Sequence, residues 1–401
     1  MLDHFLDSGR SGPKRKWSSV NVMSTIQTRA AVLRAMGAAR PYADSRPLAI
    51  ETVTLDPPGA GEVLVAVKAA GLCHSDLSVM NGDRPRPMPM ALGHEAAGIV
   101  EAVGPGVDDL SPGDHVVMVF MPSCGHCPPC AGGRPALCEP GAAANGKGEL
   151  LGGGTRLHAG GGDLHHHLGC SAFADRAVVS RRSLVKVPAD LPFEHAALFG
   201  CAVLTGVGAV VNTAQVRAGQ SVAVVGLGGV GLASVLGALA SGASPVVAVD
   251  LSEDKLALAR SLGPVLTVNA ADADAVEQVR RLTGGGADVV LEMAGSVRAL
   301  EAAWKMTKRG GTTVTAGLPP PEAALAVNVV NLVAEERTLK GSYIGAAIPS
   351  RDIPRYIQLF RDGRLPVDRL LTGTVRLEDI NAAFDALHAG AAVRTVVTFG
   401  E

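Results

Sequence analysis

Aromatic side chains are scarce in this chain of 401 residues, because Phe, Trp and Tyr together make up only 3% of it. Proteins that bind single-stranded nucleic acids commonly stack the bases on aromatic rings, so this composition argues against that class of partner. An excess of charge of either sign is also missing, since the net charge is −2. The field of the whole protein therefore favours neither nucleic acid nor an anionic membrane as a partner.

The N-terminal residues lack the features of a secretory signal. Residues 1–22 mix Ser and Gly with the basic triplet Lys14-Arg15-Lys16, and they contain no apolar core followed by a small-residue cleavage site. The triplet is interpreted as part of a solvated tail. We predict a disordered N-terminal extension over residues 1–28, a natural start at Met23 and a cytoplasmic location.

The stretch from Ser221 to Val249 contains no charged residue and is long enough to span a bilayer. It is interrupted by several glycines and by Pro245, and it divides into strand, turn, helix, turn and strand. A buried β-α-β unit, whose parallel strands are apolar on both faces, has the same composition. The stretch is therefore interpreted as the core of a globular domain. With 47% hydrophobic and 18% charged residues, a chain of this length is expected to form two domains.

The pattern of the chain changes twice along its length. Up to about residue 120 it shows short apolar segments such as Val63–Ala69 and Ala97–Val103, separated by Pro- and Gly-containing turns. From Ser221 onwards strands alternate with helices, which predicts a doubly wound parallel sheet. After about Ile344 the pattern is mixed and ends in a strand at Thr395–Phe399. We expect an α/β plus β fold in which a β domain is interrupted by an α/β domain.

Four cysteines form a C-x2-C-x2-C-x7-C run, namely Cys124, Cys127, Cys130 and Cys138. They lie in the segment 122–140, which is rich in Gly and Pro and shows no helical or strand periodicity. Four thiolates complete a tetrahedral zinc site without an open position, so a structural zinc is predicted. Disulfides would need an oxidising compartment, which nothing in the sequence indicates. An iron–sulfur cluster remains an alternative, although the spacing matches neither of the common ferredoxin patterns.

A glycine motif follows the predicted strand Val222–Val225 and precedes a predicted helix; its residues are Gly226, Leu227, Gly228, Gly229, Val230 and Gly231. In this context the motif indicates a dinucleotide site. Gly226 would permit the tight turn, Gly228 the approach of a pyrophosphate, and Gly231 the close packing of helix and strand. Asp250 ends the next strand at about the 20-residue spacing expected for an acid that binds the adenosine ribose. Its charge would repel a 2′-phosphate, so NAD is predicted rather than NADP.

A second set of metal ligands is formed by Cys73, His94 and Cys201. Taken singly, each of them has a plainer explanation as a core residue. Two thiolates and one imidazole make a catalytic zinc set, which leaves a fourth position for water or an alcohol oxygen. Together with the four-cysteine run and the glycine motif, they predict a second, catalytic zinc.

With these motifs in this order, the chain from about Arg29 to the C-terminus resembles the zinc-containing medium-chain alcohol dehydrogenases. The resemblance is carried by Cys73-His74-Ser75-Asp76, Gly93-His94-Glu95, the four-cysteine run, Gly200-Cys201, the glycine motif and the stretch Leu92–Val107. It implies a GroES-like catalytic domain over residues 29–202 with the zinc lobe at 122–140. It also implies a Rossmann NAD-binding domain over residues 203–344 and a return to the catalytic domain over 345–401.

The resemblance also assigns expected roles to individual residues. Cys73, His94 and Cys201 would ligate the catalytic zinc, and Ser75 would accept the alcohol proton. Asp76 would orient a zinc ligand, and Glu95 would lie near the metal. The residues expected to contact the coenzyme, beside the glycine motif and Asp250, are His74, Thr205, Lys255 and Arg394. Those expected to line the substrate pocket are Phe120 and His167.

The long segment between Cys138 and Cys201 is similar to that of the family's long-loop branch, which is typically dimeric. We therefore predict a homodimeric, NAD-dependent zinc alcohol dehydrogenase that acts on a primary, secondary or benzylic alcohol. The alternative is a thiol-dependent formaldehyde dehydrogenase, which Arg84 disfavours because glutathione-dependent enzymes carry an acid there. Three further alternatives are disfavoured. The intact ligand set argues against a non-catalytic protein that binds NAD and zinc, and also against a zinc-free quinone reductase. The charge balance argues against a nucleic-acid-binding zinc ribbon.

Several positions depart from the family's pattern. Ser78 stands where liver-type members often carry a proton-relay histidine, so the proton must leave through water or another group. His165, His166 and His167 are interpreted as a loop near the pocket, and Cys170 as a core residue. Arg84 and Arg86 would suit an anionic substrate, but the sequence favours an exposed charged loop there.

Overall fold

The computed structural model describes residues 24–400. Most of the predicted N-terminal extension, including Met23, lies outside the described residues. The boundary predicted after residue 28 is wrong, because a strand already begins at Ile26. This strand pairs along its whole length with Leu48–Leu55, so residues 26–28 belong to a sheet.

The part of the chain before residue 201 is mainly β. Its strands are β1 (Ile26–Leu33), β2 (Leu48–Leu55), β3 (Glu62–Gly71), β4 (Met90–Ala91), β5 (Ala96–Val103), β6 (His115–Met118), β7 (Leu157–Ala159), β8 (Gly162–His166), β9 (Arg176–Ser180) and β10 (Leu184–Lys186). Its α-helices are α1 (Tyr42–Ser45), α2 (His74–Met80), α3 (Pro128–Ala131), α4 (Glu139–Lys147) and α5 (Phe193–Leu198).

The remainder alternates strands and helices before a mixed C-terminal part. Its strands are β11 (Val222–Val225), β12 (Val246–Asp250), β13 (Val265–Asn269), β14 (Ala287–Glu292), β15 (Thr307–Thr315), β16 (Thr338–Gly341), β17 (Gly373–Val375) and β18 (Thr395–Thr398). Its α-helices are α6 (Ala202–Gly208), α7 (Gly229–Ala240), α8 (Glu253–Ser261), α9 (Ala275–Leu282), α10 (Val297–Met306), α11 (Val329–Ala334), α12 (Pro349–Arg361) and α13 (Ile380–His388).

The β strands of the first part form two sheets. Strands β1, β2, β7, β8 and β4 close into a small barrel, and a second sheet has the order β10-β6-β5-β3-β18-β17, with β9 paired to β3. The last strand, β18, runs antiparallel to β3. The C-terminal residues therefore join a sheet whose other strands come mainly from the first part of the chain.

The central sheet is parallel and has the strand order β13-β12-β11-β14-β15-β16. Its central strand β11 is buried at every residue, as expected for a parallel strand that is covered on both faces. The order reverses beside β11, and in open α/β sheets ligands bind at such a switch point, at the carboxyl ends of the strands. The predicted combination of a β fold and a doubly wound α/β sheet is confirmed.

The uncharged stretch from Ser221 to Val249 forms β11, α7 and most of β12. Between residues 24 and 400, no helix is both long enough and apolar enough to cross a membrane. Because β11, most of α7 and most of β12 are buried, the interpretation of this stretch as the core of a globular domain is confirmed.

Two local features differ from what the sequence pattern indicated. The cysteine segment at 122–140 contains helix α3 and the start of α4, which begins where Cys138 Sγ accepts the N–H of Gly141. One helical turn is too short to leave a periodic pattern in the sequence. His165 and His166 do not lie in a loop, because they end β8 and pair with β4.

Candidate active site

A cleft of about 930 Å³ opens between the β part of the molecule and the parallel sheet. Cys73, His74 and Ser75 line one side, where β3 ends and α2 begins. The glycine motif and Asp250 line the other side, at the carboxyl ends of β11 and β12. The two predicted sites thus face each other across one cleft.

The predicted catalytic zinc ligands come together from three separate places in the chain. Cys73 precedes α2, His94 lies between β4 and β5, and Cys201 precedes α6. One ligand atom from each of these residues and from Glu95 lies within 4.8 Å of all the others. Gly93 allows the turn before His94, since its φ is +96° and a Cβ there would lie 2.4 Å from the amide nitrogen of Phe173.

The orientation of His94 is set by a buried carboxylate. His94 Nδ1 lies 3.1 Å from Asp76 Oδ1, which also accepts the N–H of Gly93 at 3.2 Å. When Nδ1 carries the proton that it donates to Asp76, the lone pair of the imidazole is on Nε2. That Nε2 atom is buried and has no hydrogen-bond partner among the described residues. An unpaired imidazole nitrogen beside two thiols is a donor set that fits zinc.

The two thiols of this cluster share a hydrogen bond. A hydrogen bond from Cys201, supported by nearby His94, lowers the pKa of Cys73 well below its usual range, although burial opposes the shift. The same contact and burial raise the pKa of Cys201. A thiolate is the form of cysteine that binds a metal, so the lowered pKa of Cys73 favours metal binding.

A buried ion pair connects the zinc cluster to the glycine motif. Glu95 Oε2 lies 3.3 Å from Arg394 Nη2, and both side chains are almost completely buried. Burial raises the pKa of Glu95 to about 7, while Arg394 opposes the shift. Arg394 also donates to the carbonyl of Leu72 at 2.7 Å, and a Cβ on Gly229 would lie 2.7 Å from its Nε. The guanidinium therefore sits between the cluster and the start of α7.

The glycine motif has the shape that a phosphate-binding turn needs. Gly226 has a φ of +91°, and a Cβ on Gly231 would lie only 1.8 Å from the carbonyl oxygen of Gly226. Gly228 faces open space, since a Cβ there would meet no atom of the described residues within 4 Å. Helix α7 begins at Gly229, and its first N–H groups have no partner within the helix. Such a helix N-terminus is a favourable place for a phosphate.

Asp250 has a second contact that the sequence did not reveal. Its Oδ2 accepts the N–H of Leu227 at 2.6 Å and its Oδ1 accepts the N–H of Ser252 at 2.9 Å. The carboxylate therefore braces the glycine turn from the neighbouring strand while it lines the cleft. Contacts between adjacent strand ends cannot be read from spacing alone.

The other predicted coenzyme residues fall into two groups. His74, Val230, Lys255 and Arg394 line the cleft. Thr205 does not, because it is nearly buried one helical turn after Cys201, to whose carbonyl its N–H donates at 2.8 Å.

The predicted pocket residues Phe120 and His167 both pack against His94. The ring of Phe120 meets that of His94 edge-on at 5.5 Å, and the ring of His167 does so at 5.4 Å. His167 Nδ1 also lies 3.1 Å from Asp76 Oδ1. Sequence reasoning missed this contact, and it missed Tyr343, whose ring meets Phe120 at 5.9 Å. Neither the contact of His167 with Asp76 nor the position of Tyr343 has a local signal, because both depend on the tertiary fold.

A second cavity of about 400 Å³ lies beside the cysteine lobe, between Leu137 and Tyr343. It shares Ala316, Gly317 and Leu318 with the main cleft. The cavity next to Tyr343 and the main cleft therefore share this wall.

The four cysteines of the lobe are gathered as a tetrahedral site requires. Their sulfur atoms all lie within 4.8 Å of one another. Ligands about 2.3 Å from a tetrahedral zinc are about 3.8 Å apart, and Cys127 Sγ and Cys138 Sγ are 3.9 Å apart. Backbone N–H groups of His126 and Cys127 lower the pKa of Cys124 to about 6. The lobe therefore fits zinc.

All seven cysteines are free thiols. Cys170 lies outside both clusters and is completely buried, which raises the pKa of its thiol to about 12. This agrees with its interpretation as a core residue.

Comparisons with known proteins agree with this geometry. Residues 59–189 match the family profile described as "Alcohol dehydrogenase GroES-like domain", and residues 229–362 match "Zinc-binding dehydrogenase". S-(hydroxymethyl)glutathione dehydrogenase of Paracoccus denitrificans is 36% identical over 93% of this chain and 100% of its own length.

Solved structures give the same result. An alcohol dehydrogenase zinc-binding domain protein from Burkholderia ambifaria is 38% identical, with a TM-score of 0.89, over 94% of this chain and 100% of its own. Benzyl alcohol dehydrogenase from Acinetobacter calcoaceticus is 32% identical, with a TM-score of 0.87, over the same shares of the two chains.

The fold and the two cysteine-containing clusters define a zinc-binding dehydrogenase, an oxidoreductase. Within that class, the chain belongs to the zinc-dependent medium-chain alcohol dehydrogenase family.

Proposed function

We propose that the protein is an NAD-dependent zinc alcohol dehydrogenase. It transfers hydride reversibly between a primary, secondary or benzylic alcohol and NAD⁺, which yields an aldehyde or a ketone. The observation that most supports this is the position of Cys73, His94 and Cys201, which gather opposite the glycine motif in one cleft. The name of the Acinetobacter relative, a benzyl alcohol dehydrogenase, supports a benzylic substrate.

Two zinc ions per chain are proposed, one held by Cys73, His94 and Cys201 and one by the four lobe cysteines. Bound zinc supplies a Lewis acid and bound NAD supplies a hydride acceptor. Asp76 keeps the imidazole of His94 in the tautomer that leaves Nε2 free. Glu95 adds a carboxylate to the cluster, and Arg394 partly balances its charge.

Ser75 receives the proton of the alcohol at its hydroxyl oxygen. It is half-buried and lines the cleft beside Cys73. Ser78 does not continue a relay, because its hydroxyl donates to the carbonyl oxygen of His74 at 2.9 Å. The proton therefore passes from Ser75 to water in the cleft.

The coenzyme is proposed to lie along the glycine motif, with its pyrophosphate between the start of α7 and the side chains of Arg394 and His74. Val230 would flank the nicotinamide end and Lys255 the adenosine ribose, whereas the buried Thr205 does not reach the cleft. The charge of Asp250 disfavours a 2′-phosphate, so kcat/KM is expected to be higher with NAD than with NADP. A higher value with NADP would contradict this role of Asp250.

The molecule is proposed to be divided into a catalytic domain over residues 26–202 and 345–400 and a coenzyme domain over 203–344. We propose a homodimer that associates through the edge of the parallel sheet. The edge strand β16 is exposed at every residue, and next to it α11 exposes Val329, Val330 and Val333 by about two thirds. An exposed edge strand offers unpaired backbone groups to a second copy. A cytoplasmic location is proposed because a reducing compartment preserves free thiols such as the seven in this chain.

A second candidate function is the oxidation of a thiol adduct of formaldehyde. It is favoured by the name of the Paracoccus relative, an S-(hydroxymethyl)glutathione dehydrogenase. Arg84, which lines the cleft, carries the charge opposite to the acid expected at that position in glutathione-dependent enzymes.

The test is NADH formation at mildly alkaline pH with a substrate panel. The panel contains ethanol, longer aliphatic, secondary and benzylic alcohols, and formaldehyde with and without glutathione. Turnover of free alcohols that disappears when zinc is removed is the expected result. Turnover that requires both formaldehyde and thiol would establish the second candidate, and the absence of any NAD-linked turnover would contradict both.

A further inference from the structure

Two arginines near the site have no acidic partner among residues 24–400. Arg84 and Arg86 lie in the segment between α2 and β4, and each is half-buried. The sequence favoured an exposed charged loop here, and for Arg86 this is wrong, because its Nε is buried and has no hydrogen-bond partner among the described residues. Burying a guanidinium without a counter-charge costs free energy unless a ligand supplies one.

Arg84 reaches across the cleft. Its Nη2 donates to the carbonyl oxygen of Leu318 at 3.3 Å, and its side chain lines the cleft together with Ser75 and Ser78. A carbonyl oxygen leaves most of the donors of a guanidinium free, since arginine has five N–H groups. Arg84 therefore places a positive charge on the side of the cleft that also contains Ser75.

Arg86 follows Arg84 by two residues in the same segment, between α2 and β4. Burial, with the charge of Arg84 next in importance, lowers the pKa of Arg86. Its charge also acts on Tyr343 and on His167, which places the guanidinium within electrostatic reach of both. Tyr343 contacts Phe120, and Phe120 contacts His94. Arg84 thus lines the cleft itself, and the charge of Arg86 acts on the aromatic rings that pack around His94.

The backbone around Arg86 is restrained. Pro85 and Pro87 flank it directly, and proline fixes φ and restricts the residue before it. The nearest acid in sequence, Asp83, is engaged elsewhere, since it accepts the side-chain amide of Asn81 at 2.6 Å. The backbone of Arg86 is therefore restrained, and no carboxylate between residues 24 and 400 forms an ion pair with its guanidinium.

We propose that Arg84 and Arg86 form an anion subsite, and that the preferred substrate is an alcohol or aldehyde that carries a carboxylate away from the reacting carbon. This rests on the proposed function, because it concerns the substrate of the same site. Arginine suits a carboxylate because its planar fork can donate two parallel hydrogen bonds. The carboxylate could belong to a hydroxy acid or to the glutathione part of a thiol adduct.

The test compares charged and neutral alcohols of similar shape. The pairs are 4-(hydroxymethyl)benzoate with 4-methylbenzyl alcohol, and ω-hydroxyalkanoates with alkanols of matching length. A hydrogen bond to a charged group corresponds to about 10- to 100-fold in affinity, so the wild type is expected to favour the charged member by that factor in kcat/KM. The preference should weaken as the salt concentration rises.

Variants decide whether the arginines are responsible. Arg86→Met keeps an apolar stem and removes the charge, and it should abolish the preference for the charged member. Arg86→Glu should instead favour 4-(aminomethyl)benzyl alcohol, a reversal that a purely structural role would not produce. Arg369 is exposed and lies between α12 and β17, away in sequence from the segment of Arg84 and Arg86 and outside the cleft, so Arg369→Met is the control and should keep the wild-type preference.

The outcomes separate this subsite from the proposed function. Turnover of neutral alcohols at least as efficient as that of their charged partners would overturn the subsite and leave the dehydrogenase in place. Activity only with S-(hydroxymethyl)glutathione would support the subsite if Arg86→Met lowers it, and overturn the subsite if it does not. If no substrate is turned over, binding of 4-(hydroxymethyl)benzoate by calorimetry decides, since equal affinity in the wild type and Arg86→Met would overturn it.

Discussion

At the scale of single residues, Asp76 connects the parts of the candidate site. Its Oδ1 accepts the N–H of Gly93 and lies 3.1 Å from a ring nitrogen of both His94 and His167. The carboxylate is completely buried, so its interaction with these groups is little weakened by water. A carboxylate that orients a ligating histidine commonly affects metal affinity 10- to 100-fold. Asp76 thus supports the zinc cluster by orienting His94, although it is not grouped with Cys73 and Cys201 as a ligand.

The first prediction concerns the catalytic ligands. Cys73→Ala or His94→Ala is expected to lower kcat at least about 1,000-fold, because several kcal/mol of charge stabilisation are lost with the metal. NADH binding, measured by fluorescence titration, should be largely kept, because the glycine motif lies on the opposite side of the cleft.

Zinc content provides a second readout, and metal analysis should show the loss of one of two ions per chain. The control is Cys170→Ala, which changes a buried cysteine outside both clusters and should keep both ions. Near-normal activity of either ligand variant would contradict the assignment of the cluster.

At the scale of secondary-structure elements, the connection from β11 to α7 depends on close backbone approach. A Cβ on Gly231 would lie 1.8 Å from the carbonyl oxygen of Gly226, so the helix could not keep its position. We expect Gly231→Ala to lower the free energy of unfolding by about 1–3 kcal/mol and to weaken NADH binding. Thermal unfolding and NADH titration measure the two effects.

The matched control for this change is Gly146→Ala. Gly146 lies in α4 with nothing within 4 Å of a Cβ, so alanine there should be neutral or stabilise by up to about 1 kcal/mol. If both variants behave alike, the close approach at Gly231 does not limit the fold.

The hairpin of β7 and β8 gives a pH-dependent prediction. His158 lies 2.7 Å from Asp56 and 2.8 Å from Asp163, and the hydrogen bond to Asp56, helped by that to Asp163, raises the pKa of His158. A folded-state pKa above the unfolded value of about 6.5 means that the protonated form is stabilised by folding. This contribution is fully present below about pH 6.5 and is lost as the pH rises through the folded-state pKa.

Chemical denaturation at several pH values would reveal this contribution. His158→Gln should lower the free energy of unfolding near pH 6 and have less effect near pH 9. The difference should stay below about 1 kcal/mol, because the side chain is 32% exposed and water screens the pair. A difference that grows with pH would contradict the assignment.

At the scale of the whole molecule, the chain crosses between its two parts twice, and the cleft lies where they meet. Cys73 and His94 come from the β part, Cys201 from the crossing point, and Arg394 from the C-terminal return. The ion pair between Arg394 and Glu95 ties this return to the zinc cluster. The two sides of the cleft are thus connected both by the crossings of the chain and by this ion pair.

The proposed association of two chains into a homodimer also belongs to the scale of the whole molecule. Leu339 lies in the edge strand β16 and Leu266 in β13 at the opposite edge of the same sheet, and both are about 40% exposed. If β16 forms the dimer interface, Leu339→Asp should shift the protein toward monomer in analytical ultracentrifugation. Leu266→Asp is the matched control and should leave the dimer intact. A dimer that survives Leu339→Asp and dissociates with Leu266→Asp would place the interface at the other edge.

Much of this organisation was accessible from the sequence, because its signals are local. The requirement for glycine at Gly226 and Gly231 follows from a turn of a few residues, and the spacing of Cys124 to Cys138 lets one short segment surround an ion. The alternation of strands and helices likewise predicted the parallel sheet. Short elements such as α3 escaped prediction, because one turn of helix leaves no periodic pattern.

What the sequence by itself determined was therefore the set of motifs, the two types of fold and the order in which they occur. Only the tertiary structure decided which distant residues meet, such as His167 with Asp76 and Arg394 with Glu95. It also decided that Arg86 is half-buried and that its Nε has no partner among the described residues. The physical reason is that burial and electrostatic environment depend on packing between segments far apart in the chain, whereas turn geometry and ligand spacing depend on neighbours within it.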